Sequence, residues 1–506
     1  MHNDNVPLLT AEEMRSKENW AIDRWGMPSL VLQEHAAIGA LALIPEGEPI
    51  RVLAGPGNNG GDALALARLA FLQGRGVEVW VPGVERPQWK GDAATQAKLW
   101  EGLGGKYKTS DDPSEEISNW RGWVVDGLFG LGTKLPIGGD IQAWVVAFVT
   151  SGLGFRRFKV LALDLPTGLD PSSGDTIGLV IRADRTACFG HLKRCHGLMP
   201  ARDFCGDISL IPIPLTELSR YAYRLGMLHK PTMNWPRWDT HKYELGHVAI
   251  RAGTKGMAGA AVLAAIGALR GGAGLVTIMP DAAVAGTVAA QVPEAIVKEW
   301  EGCGGKPPGN ADVLLVGPGG VSDVPDWDGP LVLDASALGP GEGQKWMSRP
   351  NTILTPHAGE FSRLFGMEIG RIDMMIGGRS TQERLDAVEM ILAESSHSVG
   401  GRSAVLMLKG AQTIVAGGGS MQMYVNPTGH PGLSTGGTGD FLAGLVAARY
   451  AQGTARYAHD PFTPLKAACE AVWLHGAAAD RLGAGPLMVR DLGPSLAELL
   501  REMRGA

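Results

Sequence analysis

The sequence predicts an α/β protein of two domains, each a largely parallel sheet with helices packed on it. Three observations predict this. The chain has 506 residues, long enough for two or more separate cores. Apolar runs of strand length alternate with stretches of helical apolar spacing in both halves, the pattern of repeated βαβ units. Several of those runs end in glycine followed by a polar side chain, as expected where parallel strands deliver loops to a ligand edge.

In the first half, "IRVLAGPGNNGGDALALARLAFLQGRGVEVWVP" (50–82) reads as strand, glycine-rich loop, helix and strand. "RGWVVDGLFG" and "KVLALDLPTGLD" add two short buried strands with polar ends. Asn58, Asn59, Asp62, Asp126, Asp164 and Thr167 would then gather at the carboxyl edge of one sheet. Between about 215 and 241 the text turns to tryptophans and prolines without clean periodicity. The boundary is placed there, giving a domain at 1–220, a linker at 221–240 and a domain at 241–506. The second half resumes the alternation with "GHVAIRAG", "MAGAAVLAAIGALRGGAG", "LVTIMP", "VLLVGPGG", "PLVLDASAL", "TILTPHAGEF" and "AVLMLKGAQTIVAG".

Composition narrows the function. With 46 basic and 52 acidic residues the formal charge is -6, which offers no basic footprint for nucleic acid or an anionic membrane, so a small-molecule enzyme is expected. The start, "MHNDNVPLLTAEEMRSKENW", lacks the basic and apolar regions of a secretory signal, which points to the cytoplasm. The apolar stretch at 258–269 is cut by Arg270, too soon for a membrane span. Five cysteines, an odd number in a long chain, argue against a disulfide scaffold. Cys188, His191, Cys195, His196 and Cys205 cluster, but without a C-x-x-C spacing, and are read as reduced cysteines beside a strand.

The most informative stretch is "NPTGHPGLSTGGTGDFLAGLVAARYAQG" (426–453). Ser434, Thr435, Gly436, Gly437, Thr438 and Gly439 form a loop running into an apolar helix, whose unpaired N–H groups and partial positive charge make an anion site. Asp440 is poorly suited to hold an anion there but well suited to take a proton from a substrate hydroxyl. The competing reading is an ordinary helix cap. "LMLKGAQT" supplies Lys409, Gly410 and Thr413 at a strand end, where backbone and a point charge can meet phosphates. Neither G-x-G-x-x-G nor G-x-x-x-x-G-K-[ST] occurs at the expected junctions.

These residues resemble a known family. "GTKGMAGAAVLAAIGALRGGAGLVTI", "VGPGG", "TPHAGEF", "LKGAQT" and "NPTGHPGLSTGGTGDFLAG" are similar to the dehydratase domain of the NAD(P)H-hydrate repair enzymes, a ribokinase-like fold. "GPGNNGGD", "VDGLFG" and "LDLPTGLD" are similar to the partner NAD(P)H-hydrate epimerase domain. The resemblance implies a Rossmann-like three-layer αβα domain followed by a ribokinase-like αβα domain. It implies epimerisation of the R and S hydrates of NADH and NADPH, and ADP-dependent dehydration of the S form to give AMP and phosphate. Asp440 and Asp164 are the implied catalytic residues. Ala260, Gly320 and His357 are implied to line the hydrate pocket, with Lys409, Gly410, Ala411, Gln412, Thr413 and Gly439 on ADP. In the first half the implied cofactor contacts are Asn58, Asn59, Gly60, Gly61 and Asp62, with Gly130, Leu131, Gly132, Thr133, Lys134, Leu135 and Pro136. Asn59, Asp126 and Thr167 match the family's potassium ligands, magnesium is implied beside the nucleotide, and a homo-oligomer is implied. The chain departs from the family at His35, Ala63 and Ser336. The rival readings are a ribokinase-like alcohol kinase using ATP, and a first half that serves only as a nucleotide-binding module.

Overall fold

The computed structural model describes residues 5–83, 88–110, 113–132, 136–151, 156–176, 178–215, 223–302, 305–367, 381–395, 403–455 and 463–505. It divides into two compact units, Pro7–Tyr223 with Arg379–Gln382, and Met1–Val6 with Arg224–Gly378 and Glu383–Ala506.

The first unit is built on seven strands in the spatial order Tyr107–Lys108, Val77–Trp80, Ile50–Ala54, Gly122–Gly127, Phe158–Leu163, Arg185–Phe189 and Asp207–Ile211. Every pairing is parallel, so all strands deliver their carboxyl ends to one edge. The central strands are mainly apolar, with Arg51, Asp126 and Lys159 the charged exceptions, because helices cover both faces, and burial leaves Ile50, Val52, Val124 and Val160 with no exposed surface. After Ala54 the chain enters the helix Asn58–Leu72 almost at once, so Asn58 to Asp62 lie in the first helical turn, where the sequence reading had a loop. Glycine is required there: a Cβ on Gly60 would sit 1.9 Å from the Gly55 carbonyl oxygen.

Among the described residues the second unit's sheet has ten strands after Val6 at its edge, ordered Leu225–Met227, Met423–Val425, Ile414–Gly417, Val405–Leu408, Thr352–Leu354, Leu331–Leu333, Val313–Val316, His247–Arg251, Leu275–Ile278 and Ile296–Val297. From Val405–Leu408 to the Ile296 edge the pairing is parallel, while Ile414–Gly417 runs antiparallel to both its neighbours. Leu225–Met227, inside the expected linker, pairs in parallel with Met423–Val425. Three residues carry no local periodicity to read; the partner strand lies far along the chain.

The helix that follows the glycine loop, Thr438–Thr454, is buried along most of its length against the helix Ala258–Arg270. The approach is backbone to backbone. A Cβ on Gly444 would meet the Ala264 carbonyl oxygen at 1.9 Å, and one on Gly267 would meet the Phe441 oxygen at 2.1 Å. Two glycines on facing helices, with alanines around them, thus fix where the first turn of Thr438–Thr454 points.

Candidate active sites in the two units

At the carboxyl edge of the first sheet lies a cavity of about 630 Å³. Asn58, Asn59, Asp62, Gly130, Leu131, Gly132 and Asp164 all line it, whereas Gly60, Gly61 and Pro136 are not part of its lining. Thr133, Lys134 and Leu135 lie outside the described residues. Register explains the convergence: Asp126 pairs across to Leu53 and Ala162, and Asp164 follows directly after Leu163.

Asp126 is fully buried and accepts from the Thr167 N–H (2.9 Å), the Thr167 hydroxyl (2.8 Å) and the Leu128 N–H (3.3 Å). Burial pushes its carboxyl up to about 6 despite those bonds. No ion pair to Asp126 occurs among the described residues, and Asn59, whose amide donates to the Phe129 carbonyl at 2.8 Å, is buried beside the same loop. A buried carboxylate, a hydroxyl and an amide without a cation are a donor set that suits a weakly hydrated monovalent ion.

Asp164 has φ +62°, a left-handed conformation unusual for a non-glycine residue. Its N–H donates to the Ala187 oxygen (2.8 Å), and its carbonyl accepts from His196 Nε2 (2.8 Å). Its carboxylate is ion-paired with Lys193, which has no exposed surface. Around the same cavity burial, then the charge of Asp164, push Glu18 up to about 7 and Asp62 well above the usual carboxylate range. Lys193 sits in the middle of the Cys/His cluster, where a search for metal spacing passes over it. Both ring nitrogens of His196 are committed to protein, Nδ1 accepting from the Lys193 N–H at 2.9 Å. Burial pushes the Cys188 thiol up to about 12.

In the second unit, Asp440 is the third residue of the helix Thr438–Thr454, behind Gly437 at φ +96°. No side chain caps this helix, and the Thr438 N–H turns back to the Thr435 oxygen at 3.4 Å, which leaves those of Gly439 and Asp440 as its leading donors; the capping role for Asp440 is not the one adopted. Lys409 ends the strand Val405–Leu408 and reaches Asp334 Oδ1 at 2.6 Å and Glu360 Oε2 at 3.9 Å. A Cβ on Gly439 would lie 3.4 Å from the Lys409 ammonium, so that cation stands at the helix N-terminus. Asp334 in turn accepts from the Thr355 hydroxyl at 2.8 Å. Burial first, then the like charges of Asp334 and Glu360, push Asp440 up to about 6, against the pull of Lys409. A carboxylate of that basicity beside an anion-binding helix end can accept a proton near neutral pH while a phosphoryl group is held.

Comparison with known proteins follows the same division. A family model described as NAD(P)H-hydrate dehydratase matches residues 248–500, and one described as YjeF-related protein N-terminus matches 30–195. The bifunctional NAD(P)H-hydrate repair enzyme Nnr of Gloeobacter violaceus is 35% identical over 91% of this chain and 90% of its own length. The chain belongs to the bifunctional NAD(P)H-hydrate repair enzyme family. The Coxiella burnetii enzyme of the same name is 32% identical over 92% of this chain and 93% of its own. Among solved structures, the ADP/ATP-dependent NAD(P)H-hydrate dehydratase of Bacillus subtilis, co-crystallised with ATP/Mg2+, is 26% identical over 54% of this chain and 95% of its own, with a TM-score of 0.43.

The remaining expected residues of the second unit fall as follows. Lys409, Gly410, Ala411, Gln412 and Thr413 form the turn between two antiparallel strands. That turn is held from beneath by Arg384, buried, donating to the Gln412 oxygen (2.7 Å) and the Leu408 oxygen (3.1 Å). His357 caps the helix Ala358–Phe365, its Nδ1 accepting from the Gly359 N–H at 3.0 Å, and Glu360 returns a bond to the His357 N–H at 2.8 Å. Ala260 lies in the first turn of Ala258–Arg270, and Gly320, at φ +87°, packs by Thr254. The bonds of His357 lead to Glu360 and so toward Lys409 rather than to the segment holding Ala260 and Gly320. Asp334, Glu360, Arg384 and Lys193 are the functional candidates that sequence reasoning passed over. Asp334 carried a signal, a polar residue just after the end of an apolar run; Glu360, third in its helix, Arg384 and Lys193 carried none.

Proposed function

We propose that this chain restores NADH and NADPH from their hydrates: the first unit interconverts the R and S epimers, and the second dehydrates the S epimer with ADP. The observation that carries the reading is the placement of Asp440, a carboxyl raised to about 6, at a glycine-led helix N-terminus beside Lys409.

Hydroxide leaves a carbon poorly. In the second unit Asp440 takes the proton of the ring hydroxyl as its oxygen attacks the β-phosphorus of ADP, and AMP departs. Lys409 and the leading amides of Thr438–Thr454 stabilise the charge on the transferring group. The phosphate ester then loses phosphate from one ring carbon and a proton from the next, leaving the double bond of NAD(P)H. A magnesium ion accompanying the nucleotide would neutralise charge on its phosphates.

In the first unit the ring nitrogen pushes its electron pair toward the hydroxyl-bearing carbon. The C–O bond breaks, and the oxygen leaves as water after taking a proton. Water adds to the other face of the planar iminium and gives its proton to a carboxylate. Asp164 is the group assigned to this proton traffic, and the first-turn segment Asn58 to Asp62, with the leading amides of Asn58, Asn59 and Gly60, would hold the dinucleotide together with Gly130 to Pro136. Asn59, Asp126 and Thr167 would hold a potassium ion, which would supply positive charge where Asp126 is buried and order the loop carrying Phe129 and Gly130. We place the enzyme in the cytoplasm, where its buried thiols stay reduced.

The test mixes the purified chain with both epimers of NADH hydrate and ADP and follows recovery of NADH absorbance, omitting ADP or supplying ATP in controls. Full recovery that requires ADP is expected. Recovery of only the S half would remove epimerisation from the first unit. No recovery, together with a stable phosphorylated alcohol formed from ATP, would replace the reading with a kinase.

A further inference from the structure

Among the described residues of the first unit, Lys193 is the one lysine with no exposed surface, and its ammonium meets Asp164 of the cavity wall. It pairs with Asp164 Oδ1, donates to the Phe189 carbonyl at 2.8 Å and lies 3.8 Å from Cys188 Sγ. Its own backbone N–H fixes the His196 ring, and that ring donates to the Asp164 carbonyl, so both ends of Lys193 act on one residue.

As a stability device this is poor design. Replacing a buried ion pair by apolar groups is commonly neutral or stabilising. Asp164 is held besides in a left-handed conformation that is strained for a residue with a side chain. Both bonds to its carboxylate, from Lys193 and from the Phe189 N–H at 3.3 Å, go to Oδ1; Oδ2 accepts none among the described residues, and the residue lines the cavity.

We propose that Lys193 is a positioning residue for the first unit's reaction: it pins one carboxylate oxygen of Asp164, so that the other is presented to the ring hydroxyl of the hydrate. This rests on the reading of the first unit as the epimerase. The charged groups around Asp164 make the need plain. Glu18 and Arg15 face it from the helix Ala11–Trp25, Asp62 from Asn58–Leu72 with Asp92 next to it, and Cys188 and His196 from its other side. Three acids share the cavity with Asp164, and removing Lys193 would leave its carboxylate among them without the cation bonded to it. Although burial pulls the Lys193 ammonium down, Asp164 and Cys188 more than offset it and hold it above its usual range.

The experiment measures R-to-S interconversion by the full chain against pH, for wild type and Lys193→Met. Loss of the cation disfavours the carboxylate, so the acid limb of kcat/KM should move to higher pH, with activity at pH 7 falling on the order of 10²-fold and KM changing less than kcat. A limb that stays at the wild-type pH, whatever the rate, overturns the proposal, since a merely structural lysine lowers the profile without moving it. Lys193→Arg keeps the charge and should keep the wild-type limb at a reduced rate; if Lys193→Met does not fold, a displaced limb in Lys193→Arg overturns it instead. A wild-type chain that fails to interconvert the epimers overturns the epimerase reading and this inference together; a working wild type with an unmoved variant limb overturns this inference alone.

Discussion

The two units use the same pair of residue types, an aspartate and a lysine at the carboxyl edge of a parallel sheet, and wire them oppositely. In the first unit Lys193 bonds Asp164 directly. In the second, Lys409 is bonded to Asp334, and Asp440 feels it only across space. The difference teaches that a lysine near a catalytic carboxylate is not one device but two. A directly paired carboxylate is held charged and oriented. One whose lysine is anchored elsewhere keeps a raised proton affinity, while the anchored ammonium stands at the helix end that would meet an incoming phosphate.

The contrast should show first in activity. Asp440→Asn should lower dehydration by roughly 10²–10⁴ while epimerisation by the same preparation is unchanged. Wild-type recovery of NADH in that variant would break the comparison at its stronger end. Stability should split the other way. Asp164→Asn strands a fully buried ammonium and should destabilise the first unit by about 3–5 kcal/mol in denaturant unfolding, whereas Asp440→Asn leaves Lys409 with Asp334 and should barely shift the midpoint. Equal losses in the two variants would mean that the lysines are held alike.

The pH profile of dehydration sharpens the point. With Asp440 pushed up to about 6, the base is protonated below that pH, and the rate should fall there. Burial is the larger cause and Asp334 the next. Asp334→Asn removes a like charge and releases Lys409, both of which favour the ionised form, so the acid limb should move to lower pH even as kcat drops. A limb that moves upward would rule out Asp440 as the titrating group. The smallest effect expected is that of Gly444→Ala, whose methyl must push Ala264 and its helix away, costing about 1–3 kcal/mol by thermal denaturation. It should also weaken dehydration without touching epimerisation, since only the second unit's helix is displaced.

Much of this was legible in the chain as text. The glycine-led helix with Asp440, the strand ends carrying Asp126 and Asp164, and the Lys409 turn all declare themselves locally, because strand, turn and helix signals are written in neighbouring residues. Lys193 was invisible for the opposite reason. Its partner is 29 residues away, and its own neighbours, two cysteines and two histidines, suggest a different chemistry. The Asp334 to Lys409 pair is separated by 75 residues, and the strand Leu225–Met227 finds its partner only at Met423–Val425.

The sequence by itself determined the two α/β units, the family, and which aspartates stand at strand and helix ends, since periodicity and glycine placement are local consequences of backbone sterics and burial. Only the tertiary structure decided which lysine each aspartate answers to. That choice depends on which strands lie side by side, and charge pairing is set by distance in space rather than by distance along the chain.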